Sequence, residues 1–384
     1  MQQAEQTSFA AARPGRPGRG TERAGAHAPQ PVPARIAALL ALLLEQPISL
    51  YAAAALRIGY GFLYFGFLLR EFPHRDEIWG PGSPWTPALA RQLFDQTGWA
   101  SILTLSDGRA YFEICYAAAL ITSALFMLGW RTRAVSVLFA VVVSSFHARA
   151  IYMADGGDNL MILMALYLVF TACGRRWSLD ARRTRLRASA DRTARLPLDQ
   201  ASGEFRRHLG EARLTVITVL HNCGMLVIAA QVCFLYGSAG LYKVQGASWG
   251  NGTALHYALN LDVFRPWPEL SAMADEHDLL IAIACYLTVL LQVGFPFVLF
   301  GRLKYPVLTV LLGMHVSIAV FLGLPLFSGA MIVADAVFLP DRFYRYLGQL
   351  SRRVVPWADV EEARTPTPAP AEAALVPAQS GPAG

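Results

Sequence analysis

Charge is scarce in this sequence of 384 residues: 16% are Asp, Glu, Lys or Arg, against 54% that are hydrophobic. Soluble domains carry about 25% charged residues, so an ordinary soluble domain is excluded for the chain as a whole. Cysteine is sparse too. The five, Cys115, Cys173, Cys223, Cys233 and Cys285, lie in apolar segments and form no C-x-x-C pair. That spacing supports neither a zinc site nor a thioredoxin-like motif, and these cysteines are expected to act as small hydrophobes. P-loop, Rossmann and H-E-x-x-H patterns are missing, which argues against nucleotide-binding and zincin chemistry. A net charge of +6 raises nucleic acid as a partner. No helix-turn-helix, zinc-finger or RNP pattern supports it, and the basic residues cluster between apolar runs, where they set membrane topology.

What the chain does have is long apolar runs. Eight segments approach the roughly 20 apolar residues that a bilayer crossing needs: 49–69, 111–129, 133–151, 158–173, 214–236, 279–300, 304–323 and 327–345. The expected architecture is all-α, a polytopic helical bundle over residues 35–347 with a basic loop at 174–213. Residues 1–34, rich in Ala, Pro, Gly and Arg, are expected to be a disordered tail without the apolar stretch of a signal peptide. Residues 348–384 form a second tail, low in complexity from Thr365. Ile36–Leu44 is too short to cross and reads as an interfacial helix.

The loops orient the bundle. Arg13, Arg16, Arg19, Arg23 and Arg35 precede the first span; Arg131 and Arg133 separate the second and third; Arg302 and Lys304 separate the sixth and seventh. The stretch from Gly174 to Arg213 is the most basic of the chain, and Arg342, Arg345, Arg352 and Arg353 follow the eighth span. With eight crossings all of these fall on one side, which the positive-inside rule makes cytoplasmic. Both termini are therefore expected inside. The first external loop, with Arg70, Arg75, Arg91 and Arg109, fits this pattern poorly.

On this topology several ionisable groups gather in the outer half of the bundle. Lys243 closes the fifth span, Asp155 and Asp158 open the fourth, His147 and Arg149 close the third, and His315 lies midway along the seventh. Ionisable residues at membrane depth are costly and mark functional sites by default. Lys243 has two readings: a snorkelling interfacial anchor, or a base packed against protein through Gly237, Ser238, Ala239 and Gly240. Asp158 has two as well, a helix cap or a site carboxylate. His221 reads as structural, Arg57 has Glu113 as its expected partner, and Gln292 and Pro296 fit a polar contact and a kink. Trp79, Trp85, Trp249 and Trp267 read as interfacial anchors. His147 and His315 on facing spans admit a haem, but their spacing is not diagnostic.

The blocks "GWRTR", "DGGDNLMIL", "GRRWSLD", "SAGLYKVQGASWGNGTALHYAL" and "MHVSIAVFLGLPLFSGAMIVADAVFL" resemble the HTTM family. That is the membrane-domain family related to vitamin K-dependent gamma-glutamyl carboxylase and to SdpB-type proteins that help mature a secreted bacterial peptide toxin. The resemblance runs from about Ser49 to about Asp341. It implies an integral membrane enzyme of the cell membrane that uses a reduced quinone of the menaquinone or vitamin K type. In the carboxylase a lysine deprotonates the reduced quinone, which reacts with oxygen and becomes the strong base that acts on glutamate. Lys243 takes that lysine's position, with Tyr242 where the family has a neighbouring lysine. The implied site is Lys243, Asp158 and His315 as catalytic residues, with His147, Trp249, His256 and Tyr257 around the cofactor. Asp158 stands where the carboxylase has a functional histidine. The carboxylase also carries a large extra-membrane domain, whereas here residues 346–384 follow the last expected span.

The expected partners are the bilayer and a secreted peptide or protein substrate. A second reading is a non-catalytic membrane partner in maturing or exporting such a peptide. A transporter is the third, and it would favour inverted repeats, of which none is persuasive.

Overall fold

The computed structural model describes residues 41, 43–193, 201–299 and 301–354. Most of the expected interfacial helix at Ile36–Leu44, the N-terminal tail and most of the C-terminal tail lie outside the described residues. Among those described, every regular element is helical. The helices that build the bundle and its flanks are α1 (Leu50–Arg70), α2 (Arg109–Leu128), α3 (Thr132–Arg149), α4 (Gly156–Phe170) and α5 (Leu179–Thr193). They are followed by α6 (Ala201–Val244), α7 (Asp278–Val298), α8 (Lys304–Phe321), α9 (Pro325–Asp335) and α10 (Asp341–Val354).

Among the described residues five helices are long and apolar enough to cross a membrane: α1, α2, the Arg207–Val244 part of α6, α7 and α8. This is consistent with a membrane protein. The apolar stretches Gly156–Phe170 and Pro325–Phe338 are shorter. At 1.5 Å per residue, the 15 residues of α4 reach about 22 Å, short of the roughly 30 Å hydrocarbon core.

Each of the eight expected segments is helical, but two boundaries move. The fifth extends over 44 residues, because neither Gly210 nor the charged turns before Leu214 break a helix whose apolar half is packed. The eighth ends early. A 3₁₀ turn at Ala336–Phe338 and extended Leu339 precede Pro340, where the proline disfavours helical backbone in the residue before it. Asp341–Val354 then forms a separate helix.

The core forms around one face of α1. Ala53, Leu56, Tyr60, Tyr64 and Leu68 recur every three or four residues and are buried, the spacing of a single helical face. That face meets α2, α4, α9 and α10, while α6 packs along α7 and α4. Arg57 lies within it, fully buried. Its expected partner, Glu113, instead takes a two-pronged bond from Arg75 at 3.0 Å. Arg57 donates to the carbonyls of Trp177 at 2.6 Å and Cys173 at 3.4 Å. Both carbonyls belong to the turn segment between α4 and α5, whose backbone makes no regular ladder, and they receive the guanidinium.

Two sequence blocks meet beside it. The Asp180 carboxylate of "GRRWSLD" accepts the N–H groups of Arg131 and Thr132, at 2.9 and 2.6 Å, and the Thr132 hydroxyl at 2.7 Å. It thus caps α3, within "GWRTR". Burial pushes the Asp180 carboxyl up, but those donors and Arg183 outweigh it and hold the group below its ordinary value. Gly129 between the blocks has φ +70°, and a Cβ there would overlap the Arg57 guanidinium.

The first external segment resolves its excess of arginines locally. Arg70 pairs with Glu71, Arg75 with Glu113, Arg91 with Asp107, and Arg109 lies 3.9 Å from Asp76. Trp79 in this segment is 3% exposed and donates its indole N–H to Phe146 O at 3.1 Å. It is a core residue rather than an interfacial anchor, whereas Trp267 is 60% exposed.

Candidate functional site

The C-terminal ends of α1 and α3 and the N-terminal ends of α4 and α9 enclose a cavity of about 240 Å³. Its walls are aromatic and aliphatic, including Phe67, Trp79, Phe146, Met161 and Phe327. Asp158 and His147 line it together with Tyr64, so two of the residues singled out from sequence do meet. The Tyr64 hydroxyl and His147 Nδ1 are buried and have no hydrogen-bond partner among the described residues. An orphaned buried polar atom carries a desolvation cost of about 1–3 kcal/mol, and two such atoms lie in residues of the cavity wall, just behind its surface.

Asp158 is also structural. Asp155 caps α4 by accepting from Gly157 N at 2.6 Å and Asp158 N at 3.1 Å, and Asp158 returns the bond to Asp155 N at 2.9 Å. This reciprocal capping box makes Asp155 the cap and leaves Asp158 half-buried at the cavity wall.

His315 lies elsewhere, in a buried chain that sequence did not reveal as a unit. Its Nε2 is 2.9 Å from the Tyr236 hydroxyl, which donates to Asp335 Oδ2 at 2.8 Å. The single hydroxyl proton goes to Asp335, so the histidine must donate Nε2–H, leaving Nδ1 bare. Both His315 Nδ1 and Asp335 Oδ1 lack partners. The ring of Tyr236 is 4.6 Å from that of Phe295. Phe327 links the two regions: it lines the cavity and its ring lies 6.0 Å from that of His315. Haem ligation by His147 and His315 is not favoured by this arrangement, since the two line different regions.

Lys243 occupies the last turn of α6, half-buried, with Nζ 5.2 Å from the centre of the Trp249 ring. Tyr236, Gly240 and Lys243 fall at i, i+4 and i+7 and share a helix face. Gly240 is pressed so closely on Val293 and Gln292 of α7 that a Cβ would sit 2.8 Å from the Val293 backbone nitrogen. The small residues therefore turn this face toward protein. Tyr242 beside it is 79% exposed. Gln292 Oε1 has no hydrogen-bond partner among the described residues, and its Cβ lies against Gly240.

His256 and Tyr257 stay apart from the cavity. His256 Nδ1 is 2.7 Å from Asp275 Oδ1, and Asn260 donates to Asp275 Oδ2 at 2.8 Å; Tyr257 is exposed. His221 is structural, as expected: its Nδ1 accepts Ala172 N at 3.1 Å and its Nε2 lies 2.7 Å from Ile48 O.

The residues expected to form one site thus fall into four places: the cavity, the Tyr236 chain, the Lys243–Trp249 contact and the His256–Asp275 pair. No hydrogen bond or ion pair joins Lys243 to Asp158, His147 or His315 among the described residues. Tyr64 and Tyr236 were missed because a tyrosine inside an apolar run carries no signal until its neighbours are known. The chain matches no family model, no curated protein and no solved structure.

Proposed function

We propose that this chain is an HTTM-type integral membrane protein that binds a reduced quinone in the 240 Å³ cavity. The carrying observation is a cavity lined by Phe67, Trp79, Phe146 and Phe327, two of whose wall residues, Tyr64 and His147, each hold a buried polar atom without a partner among the described residues. A quinol ring is flat, apolar and bears two oxygens; the aromatic side chains fit the ring, and a small turn of the Tyr64 and His147 side chains brings their polar atoms to the oxygens. The volume lies just below the roughly 300–1,000 Å³ of ligand pockets, which suits a head group whose tail remains in lipid. Tyr64 and His147 hold the ring, and Phe67, Phe146 and Phe327 keep water from it. The bound quinol supplies redox chemistry toward oxygen. Lys243 takes the proton in this reading on the strength of the family block; it is half-buried against Trp249 and outside the cavity lining, so the quinol head group must move from the cavity to Lys243 to be deprotonated. In this reading eight helices cross the cell membrane, the five of crossing length together with α3 and with α4 and α9, whose shortness is met by local thinning of the bilayer; both termini are cytoplasmic and the cavity is at the outer end.

The test is quinone extraction from the detergent-purified protein, followed by menadione titration read by tryptophan fluorescence. Saturable quenching that weakens about tenfold in Tyr64→Phe, the loss of one hydrogen bond of about 1.4 kcal/mol, is the expected result. Oxygen uptake driven by menadiol is expected to vanish in Lys243→Ala. Absence of both extracted quinone and saturable quenching overturns the reading. Full oxygen uptake by Lys243→Ala removes the lysine from it.

A further inference from the structure

The end of the bundle opposite the quinone cavity carries a second and larger one, of about 790 Å³, between the N-terminal ends of α1 and α3, the C-terminal end of α4, α5 and the exposed part of α6. Five arginines line it: Arg133, Arg175, Arg176, Arg185 and Arg213. Asp180 is the one carboxylate on its wall among the described residues, and it is already committed to capping α3 through three hydrogen bonds. None of the five arginines forms an ion pair among the described residues; Arg176 instead lies over the Tyr51 ring at 5.3 Å.

Five arginines from three separated stretches of sequence therefore line one cavity, Arg175 half-buried and the other four exposed, without a matching anion among the described residues. Such convergence is repulsive, and a counter-charge in the site relieves it. The hydroxyls of Ser136, Thr171 and Thr184 are already committed to the carbonyls of Arg133, Leu168 and Asp180. The arginines are the donors, and their planar forks match phosphate oxygens. Basic cavities between membrane helices take anionic head groups, and Tyr51, Ala172 and Ile217 on the same wall offer apolar surface beside the charge.

We propose that this cavity binds a phosphate-bearing anion, as the head group of an anionic phospholipid or as free phosphate, gripped by Arg133, Arg175 and Arg213. The site is independent of quinone binding at the other end. The full chain is placed in nanodiscs of phosphatidylcholine with or without phosphatidylglycerol, and lipids retained on release are identified by native mass spectrometry. In phosphatidylcholine-only discs, inorganic phosphate is titrated and thermal midpoints recorded. Retained phosphatidylglycerol assigns the head group; a saturable phosphate-dependent rise without lipid retention assigns the free anion. The Arg175→Gln/Arg213→Gln variant is expected to lose at least tenfold in the responding arm. Arg302→Gln/Lys304→Gln removes the same charge outside the cavity and is expected to bind like the parent. Equal losses in both variants, or no response in either arm, overturn the proposal.

Discussion

Tyr236 stands between an imidazole and a carboxylate with one proton to give, and its position decides what each neighbour does. Replacing it with Phe keeps the ring on Phe295 but leaves His315 Nε2 and Asp335 Oδ2 buried without partners. Each orphaned group costs about 1–3 kcal/mol, so Tyr236→Phe is expected to destabilise by roughly 2–4 kcal/mol, measured by thermal unfolding in detergent; a change below about 1 kcal/mol would show that the chain contributes little. Sequence exposed only part of this unit. His315 and Asp335 stand out as ionisable groups in apolar runs, whereas Tyr236 is ordinary in such a run. Arg57 teaches the same point: a charge at membrane depth demanded a partner, but carbonyls of the segment between α4 and α5 served, and those are visible only once that segment is placed.

Elements owe their ends to side chains from elsewhere as well as to local signals. The α4 cap was legible in part: two carboxylates around a Gly-Gly pair suggested one with Asp158 as the candidate, and the structure uses Asp155 with Asp158 returning the bond. The α3 cap was not, because Asp180 reaches it from 48 residues away. The short helices between α6 and α7 depend on Asp275. Burial raises its carboxyl pKa, and the bonds from Asn260 and His256 outweigh this, so the folded value lies below the ordinary 3.8. The charged form is thus favoured by folding. Its stabilisation is complete above the ordinary value and is lost as pH falls below 3.8 toward the depressed one. Limited proteolysis of residues 247–275 is expected to accelerate across that window in the parent. Asp275→Asn is expected to start faster at neutral pH and to change little there; matching profiles would contradict this account.

At the scale of the molecule, each cavity gathers helix ends of both kinds. The N-terminal ends of α1 and α3 meet the C-terminal end of α4 at the arginine cavity, and their opposite ends meet at the smaller cavity. Successive antiparallel helices produce this alternation in either orientation, so the proposed orientation rests on the basic loops. Green fluorescent protein fused at residue 200 or at the C-terminus is expected to fluoresce, and alkaline phosphatase inserted near residue 262 to be active. Phosphatase activity from a C-terminal fusion would reverse the orientation.

Apolar run length and charge scarcity by themselves pointed to helices of membrane-crossing length, because a bilayer demands internally bonded helices of a given length; among the described residues every regular element is helical and five helices are long and apolar enough to cross. Which polar groups meet was decided only by tertiary structure. A single helix specifies the face on which Lys243, Tyr236 or Arg57 projects, but not the helix opposite. Packing put His147 and Asp158 on one cavity, separated Lys243 and His315 from them, and drew five arginines from three stretches of sequence to the other end.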